Sequence, residues 1–210
     1  MFNWNLIGIL CWLLIAVYAV FVTKDIRYRR IGMILKGNKR FSKIDFAINL
    51  VEVTVLCVLF ASFLELVFFY NPNLNNNAQI ESQVTYKPLV SMVSGNNNTA
   101  YVKYSYTQSK NRLVNYRFYT DGSRFTVNNT YASIAFTKEP WSLNSLQVPY
   151  DKNELMQMDK KYQHAFVAIY TAKYKNTFRN GLGLHVGNVA TNYYLIRVPD
   201  KSFIKEQEKD

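Results

Sequence analysis

Asp45, Asn49 and Glu52 are spaced by four and three residues, so a helix places all three on one face. They open an otherwise apolar run, Phe46 to Tyr70, whose other carboxylate, Glu65, lies thirteen residues beyond Glu52 and off that face. Carboxylates inside a membrane span cost about 2.5–3.5 kcal/mol on insertion scales, and groups kept at that cost suggest a proton relay or a subunit contact. Glu52 is therefore a candidate for ion or proton coupling. The plainer reading gives Asn49, Glu52 and Glu65 to helix pairing, or to side chains reaching interfacial water. At 1.5 Å per residue Glu65 is only about 7 Å from Tyr70, and Glu52 about 10 Å from Asp45. The preceding apolar run, Met1 to Thr23, has no charged side chain to offer as a partner.

Elsewhere the chemistry is sparse. His164 and His185 are the only histidines, and an acid–base pair would need one of them beside a carboxylate such as Asp121 or Asp159. Cys11 and Cys57 both lie in the apolar runs, which leaves no thiol nucleophile or disulfide framework after Tyr70. Gly181-Leu182-Gly183-Leu184-His185-Val186-Gly187 invites comparison with a dinucleotide fingerprint. Val186 stands where its third glycine belongs, and a flexible hairpin explains the glycines better. No catalytic, metal or cofactor-binding residue is assigned, and no cofactor is expected.

A further pattern is basic residues among aromatic ones. Lys103, Arg117, Lys173 and Lys175 sit in strand-like runs rich in tyrosine, thirteen of whose sixteen copies follow position 70. Tyrosine presents a flat apolar face with a polar tip, and the bases attract anions. Together they are candidate contacts for an anionic polymer of a bacterial wall. Equally, tyrosine and lysine fill the two faces of ordinary antiparallel strands.

The elements that must position these groups begin with two apolar helices. Residues 1–23 and 46–70 are each long enough to cross a hydrocarbon core of about 30 Å. Residues 24–45 read as a loop carrying Lys24, Arg27, Arg29, Arg30, Lys36, Lys39, Arg40 and Lys43, in which Gly32 and Gly37 interrupt any helix. Such a concentration of bases in a short connection places it in the cytoplasm, with the N-terminus and everything after Tyr70 outside. The same bases suit anionic lipid, although the orientation rule alone accounts for them. The formal charge of +11 has this loop as one source and the region after Tyr70 as the other.

Residues 71–81 form an asparagine-rich tether, and 82–200 a domain of common single-domain size. Alternation over Val102–Tyr106 and Leu113–Phe118, with the Asp121-Gly122 hairpin signal, predicts an antiparallel meander from about Ser82 to Thr137. Asp151 and Glu154 open one helix, with Leu155, Met158 and Tyr162 as its apolar stripe. A long alternation follows from Ala165, Asn180-Gly181 turns the chain, and Tyr194–Val198 forms a last strand. Residues 201–210 read as a charged, frayed tail.

Tyr174-Lys175-Asn176-Thr177-Phe178-Arg179-Asn180-Gly181-Leu182-Gly183-Leu184-His185-Val186-Gly187, with Leu195-Ile196-Arg197-Val198-Pro199, resembles an uncharacterised family of two-span membrane proteins from lactic-acid bacteria. The paired spans with a basic connection are similar too. The resemblance implies a Gram-positive plasma membrane with the outer domain in the wall zone, and it carries over no catalytic residue.

The expected architecture is two transmembrane α-helices plus an extracytoplasmic α+β domain with a mainly antiparallel sheet and one helix. The expected role is a multi-pass cell-envelope protein whose outer domain binds anionic wall polymer or another membrane protein, with the lipid bilayer as partner. Pairing of copies through the spans is compatible with this, and nucleic acid is not an expected partner. The alternatives are a membrane-anchored enzyme acting on envelope material and a small ion-coupled subunit using Glu52.

Overall fold

A computed structural model describes residues 2–37, 42–70, 73–94, 98–106, 113–136 and 148–206. Lys39 and Arg40 lie outside the described residues, as does the side chain of Lys36. The chain divides into two compact units. One comprises Met1–Asn73 with Tyr174–Asn188, the other Leu74–Lys173 with Val189–Asp210.

The first unit is built on α1 (Asn5–Gly37) and α2 (Lys43–Leu64), the latter continuing as a π-helical turn over Glu65–Phe69. Both are long and apolar enough to cross a membrane. Ser42 caps α2 by accepting the Asp45 amide. Trp12, early in α1, meets Phe60 and Phe63, late in α2, edge-on at 5.8 and 5.9 Å. Arg29, late in α1, meets Asn49 and Glu52, early in α2. The two helices are therefore antiparallel.

The basic segment is not the loop that its glycines suggested. α1 runs through Lys24 and Gly32 as far as Gly37. A helix-interior glycine costs only about 0.5–1 kcal/mol. That cost is offset by the Asp25–Arg29 ion pair one turn apart and by contact with α2.

The second unit contains strands β1 (Ile80–Pro88), β2 (Met92–Ser94), β3 (Asn98–Ala100), β4 (Val102–Tyr106), β5 (Val114–Thr120), β6 (Ser123–Asn128), β7 (Ala132–Phe136), β8 (Phe166–Tyr174), β9 (Val189–Val198) and β10 (Ile204–Glu206). Helix α3 (Lys152–Lys161) precedes β8, and a short α4 (Phe178–Leu182), part of the first unit, lies between β8 and β9. One sheet has the order β1-β8-β9-β7 and a second the order β10-β4-β5-β6, while β2 and β3 pair alone.

The expected meander survives as β4-β5-β6, whose Asp121-Gly122 turn has the positive φ angles (47° and 71°) such hairpins require. Most pairings are antiparallel, as expected (β2 with β3, β4 with β5, β5 with β6, β8 with β9), but both larger sheets are mixed, because β7 pairs with β9, and β10 with β4, in parallel. The expected frayed tail supplies β10. Asn180-Gly181, expected to be a turn, falls inside α4.

The first sheet is covered on both faces, which is why β8 and β9 are apolar along both. Val167, Ile196 and Val198 share a buried cluster with Val102 and Phe118 of the second sheet. On the other face lie Phe166, Ala168 and Tyr170, with α3 and Tyr150 over them. As expected, Asp151 caps α3, accepting the amides of Asn153 and Glu154. The buried Tyr150 hydroxyl reaches the carbonyls of Ala168 (3.2 Å) and Tyr193 (3.1 Å).

Burial, with the neighbouring Tyr193 and Tyr86 phenols, raises the Tyr150 pKa well above its ordinary 10.0. Above pH 10.0 the unfolded phenol ionises while the folded one stays neutral, so this part of the stability holds below that pH and is lost as pH rises further. Tyr150→Phe is expected to cost about 1 kcal/mol at neutral pH through the lost hydrogen bond. It should also make the alkaline loss of stability shallower. Denaturant unfolding of wild type and variant on both sides of pH 10.0 checks both outcomes.

Candidate functional site

The glycine-rich stretch finds its use at one end of the helix pair. A Cβ on Gly8 would lie 2.2 Å from the Gly181 carbonyl oxygen, one on Gly181 2.4 Å from that of Trp4, and one on Gly183 2.7 Å from that of Leu66. These are backbone atoms, which cannot swing aside. Hydrogen bonds complete the join. The Trp4 amide donates to Asn176 Oδ1 (3.0 Å), and Asn176 Nδ2 to the Phe2 carbonyl (2.6 Å). The Asn5 side chain exchanges two 3.2 Å bonds with the Val186 backbone. Asn180, fully buried, donates to the Lys175 carbonyl and holds the segment's own fold.

His185 has a capping role. Its Nε2 donates to the Leu66 carbonyl at 3.0 Å, one of the acceptors a helix end leaves without an internal donor. The imidazole stacks on Tyr174 (4.8 Å) and on Tyr70 (6.0 Å), and the Arg179 guanidinium lies 5.1 Å from the Tyr70 ring. Burial raises the Tyr174 pKa, with Tyr70 adding to it.

Glu52 has a charged partner after all, supplied by the helical continuation of the basic segment. Arg29 bonds Asp25, Glu52 and Asn49, the last at 2.6 Å. Asn49 and Glu52 thus face α1 together, as their spacing required, and Glu65 stands apart from them, exposed. The sequence clue was Asp25 and Arg29 at helical spacing, hidden because the orientation rule had already accounted for Arg29. A mostly apolar cleft of about 300 Å³ between the helices is lined by Trp12, Ala16, Ala19, Cys57 and Phe60 among others.

Of the possible acid–base pairs, the structure brings together Asp159 and His164. His164 Nδ1 is 3.4 Å from Asp159 Oδ1, at a positive-φ position just before β8 rather than within it. Asp159 is buried, and Arg197 donates to both of its oxygens at 2.9 Å. That bidentate hold makes Asp159 the buried counter-ion of Arg197. Asp121 is 2.9 Å from Lys87 instead. Among the described residues no three His, Cys, Asp or Glu side chains gather as a metal site.

The four proposed anion contacts do not form one cluster. Lys173 is at the irregular end of β8, and Lys175 belongs to the first unit. Lys103 and Arg117, however, are direct cross-strand partners, and Lys205 pairs with Lys103 from the other side. Lys205, Lys103 and Arg117 therefore form one row across three strands. Strand alternation puts that row opposite to Val102 and Phe118, on the sheet's outward face, where Thr126 and Arg124 of β6 continue it. No carboxylate occupies that face among the described strand residues. Glu206 alternates to the side of Tyr104, whose pKa is raised by burial and by Glu206. The three bases of the row are half-buried, and the buried Arg117 Nε has no hydrogen-bond partner among the described residues. Lys205 escaped the sequence reading because a short charged tail gives little strand signal.

A protein-family profile matches residues 3–205, and its description, which ends in "-like", assigns no activity. No curated protein and no solved structure matches the chain.

Gly181→Ala is expected to separate α4 from α1, since the atoms nearest its Cβ are the Trp4 carbonyl and Cβ, at 2.4–2.5 Å. Hydrogen exchange of the Trp4 and Val186 amides should accelerate by an order of magnitude or more, consistent with about 1–3 kcal/mol of overpacking. Arg29→Met leaves Glu52 unpaired and is expected to destabilise helix pairing more than the double variant Arg29→Met/Glu52→Leu. Thermal unfolding of the full chain in detergent compares the two.

Proposed function

We propose a role from geometry, because the chain belongs to the uncharacterised family matched over residues 3–205 and no activity comes with that membership. The protein is a two-span protein of a Gram-positive plasma membrane. Its N-terminus and sheet domain lie outside, and the basic end of the helix pair lies in the cytoplasm. The charge-free run of α1 ends at Thr23, and the Arg29–Glu52 contact lies at the start of the basic region, which supports Glu52 at the inner interface rather than in mid-membrane. The stretches left, 6–23 and 53–69, the second apolar except for Glu65 near its outer end, are each about 26 Å long, close to a hydrocarbon core of about 30 Å. A carboxylate so placed and paired supports helix pairing over ion coupling.

The sheet domain is a binding module for an anionic wall polymer of the teichoic-acid kind. The observation that carries this reading is the row Lys205–Lys103–Arg117 on a face without described carboxylates. Strands stand about 4.8 Å apart, so the row extends about 10 Å, enough to meet more than one phosphate of a flexible polyanion. Like charges directly opposite one another destabilise a sheet, and a ligand of opposite charge relieves that repulsion. Arg117 brings the planar donor fork suited to phosphate, and flanking Tyr119 and Thr126 add polar contacts.

The test uses the full-length chain in detergent micelles, sedimented with wall sacculi that retain or lack teichoic acid, over a salt series. Retention should depend on the polymer and fade with salt. Lys103→Gln/Arg117→Gln should weaken it about tenfold or more, and Lys173→Gln should leave it nearly unchanged. No retention at low salt, or equal retention without the polymer, would sink this reading.

A further inference from the structure

The segment joining β8 to β9, Tyr174–Asn188, leaves an apolar ring and a base on the surface. Phe178, on α4, is 52% exposed and meets Trp4 edge-on at 5.4 Å, while Trp4 meets Phe2 at 5.4 Å in the same manner. Arg179 follows, exposed and poised over the Tyr70 ring. The backbone contacts at Gly8, Gly181 and Gly183 forbid α4 from drifting along the helices. Phe178 is thereby held level with Phe2 and Trp4, where the apolar run of α1 begins, and Arg179 level with Tyr70, where that of α2 ends. The apolar surface continues along both helices through Leu6, Phe68 and Phe69, which are 57%, 72% and 78% exposed.

Rings and an arginine, fixed at the level where two apolar helices both end, have the composition of a membrane–water interface. A base beside them is placed to meet lipid phosphate. We infer that Tyr174–Asn188 is a third membrane-contacting element, which lies in the outer interfacial layer without crossing it. The Phe178 ring enters the lipid beside Phe2 and Trp4, and Arg179 binds a headgroup phosphate. This inference rests on the two-span reading above, and its occupant is the bilayer surface because the exposed rings continue the lipid-facing surface of the helices.

Site-directed nitroxide labelling tests it with the full-length chain, Cys11→Ser/Cys57→Ser, in vesicles of phosphatidylglycerol and phosphatidylcholine. Single labels are placed through Phe178→Cys, through Arg179→Cys (which keeps all three rings), through Val17→Cys on the exposed side of α1, and through Ser123→Cys on the exposed start of β6. Collision with oxygen, which favours lipid, is compared with collision with a water-soluble nickel chelate. Position 17 should read deep lipid, 178 shallow lipid, 179 the headgroup layer, and 123 water. If 178 and 179 both match 123 while 17 reads lipid, the inference is overturned and the two-span reading stands. If 17 also reads water, the two-span reading falls and takes this inference with it.

Discussion

The helical unit depends on backbone meeting backbone at three glycines. Gly8, Gly181 and Gly183 each stand where a single added carbon would strike a carbonyl group. Every other feature of that end follows from the approach they permit. Asn5 and Asn176 come within hydrogen-bonding reach, His185 reaches the Leu66 carbonyl, and the imidazole packs against both Tyr70 and Tyr174. At the opposite end the helices are joined by charge instead, through Arg29 with Asp25, Asn49 and Glu52. The pair is thus held by shape at one end and by ionic hydrogen bonds at the other, with aromatic edge contacts of Trp12 between.

The sheet domain solves a different problem. Its first sheet is buried on both faces, so two sides of β8 and β9 must be largely apolar, and the buried charge of Arg197 is matched by Asp159 of α3. The second sheet packs one face, that of Val102 and Phe118, into the buried cluster. Its other face is free to carry residues that no core tolerates, and there the bases of β10, β4 and β5 fall into one line.

What was legible in the sequence was local. Asp151 and the stripe behind it specify α3 within ten residues, and Asp121-Gly122 forces its own turn. The parallel pairings of β7 with β9 and β10 with β4 were not legible, because nothing in Ala132–Phe136 or Ile204–Glu206 names a partner sixty or a hundred residues away. Asn180-Gly181 carries turn chemistry, and contact with Trp4 and Gly8 makes that chemistry serve a helix. For the candidate sites, residue types were readable and neighbours were not. Lys103 and Arg117 were singled out together and do meet, whereas Lys205 and the Arg29–Glu52 contact depend on elements that the local pattern hid.

The join at the glycines also imposes an order in time. Trp4 bonds a residue 172 positions later, and Asn5 one 181 positions later. A ribosome delivers both helices long before it delivers their closing segment. Throughout that interval the Leu66 carbonyl lacks its imidazole donor, and the Asn5 side chain lacks the Val186 backbone it will bind. The helix hairpin is therefore made before its closing segment and completed only after it. A chain interrupted within the sheet domain would display an open helix end, with the Leu66 carbonyl and the Asn5 side chain lacking the partners they have in the complete fold.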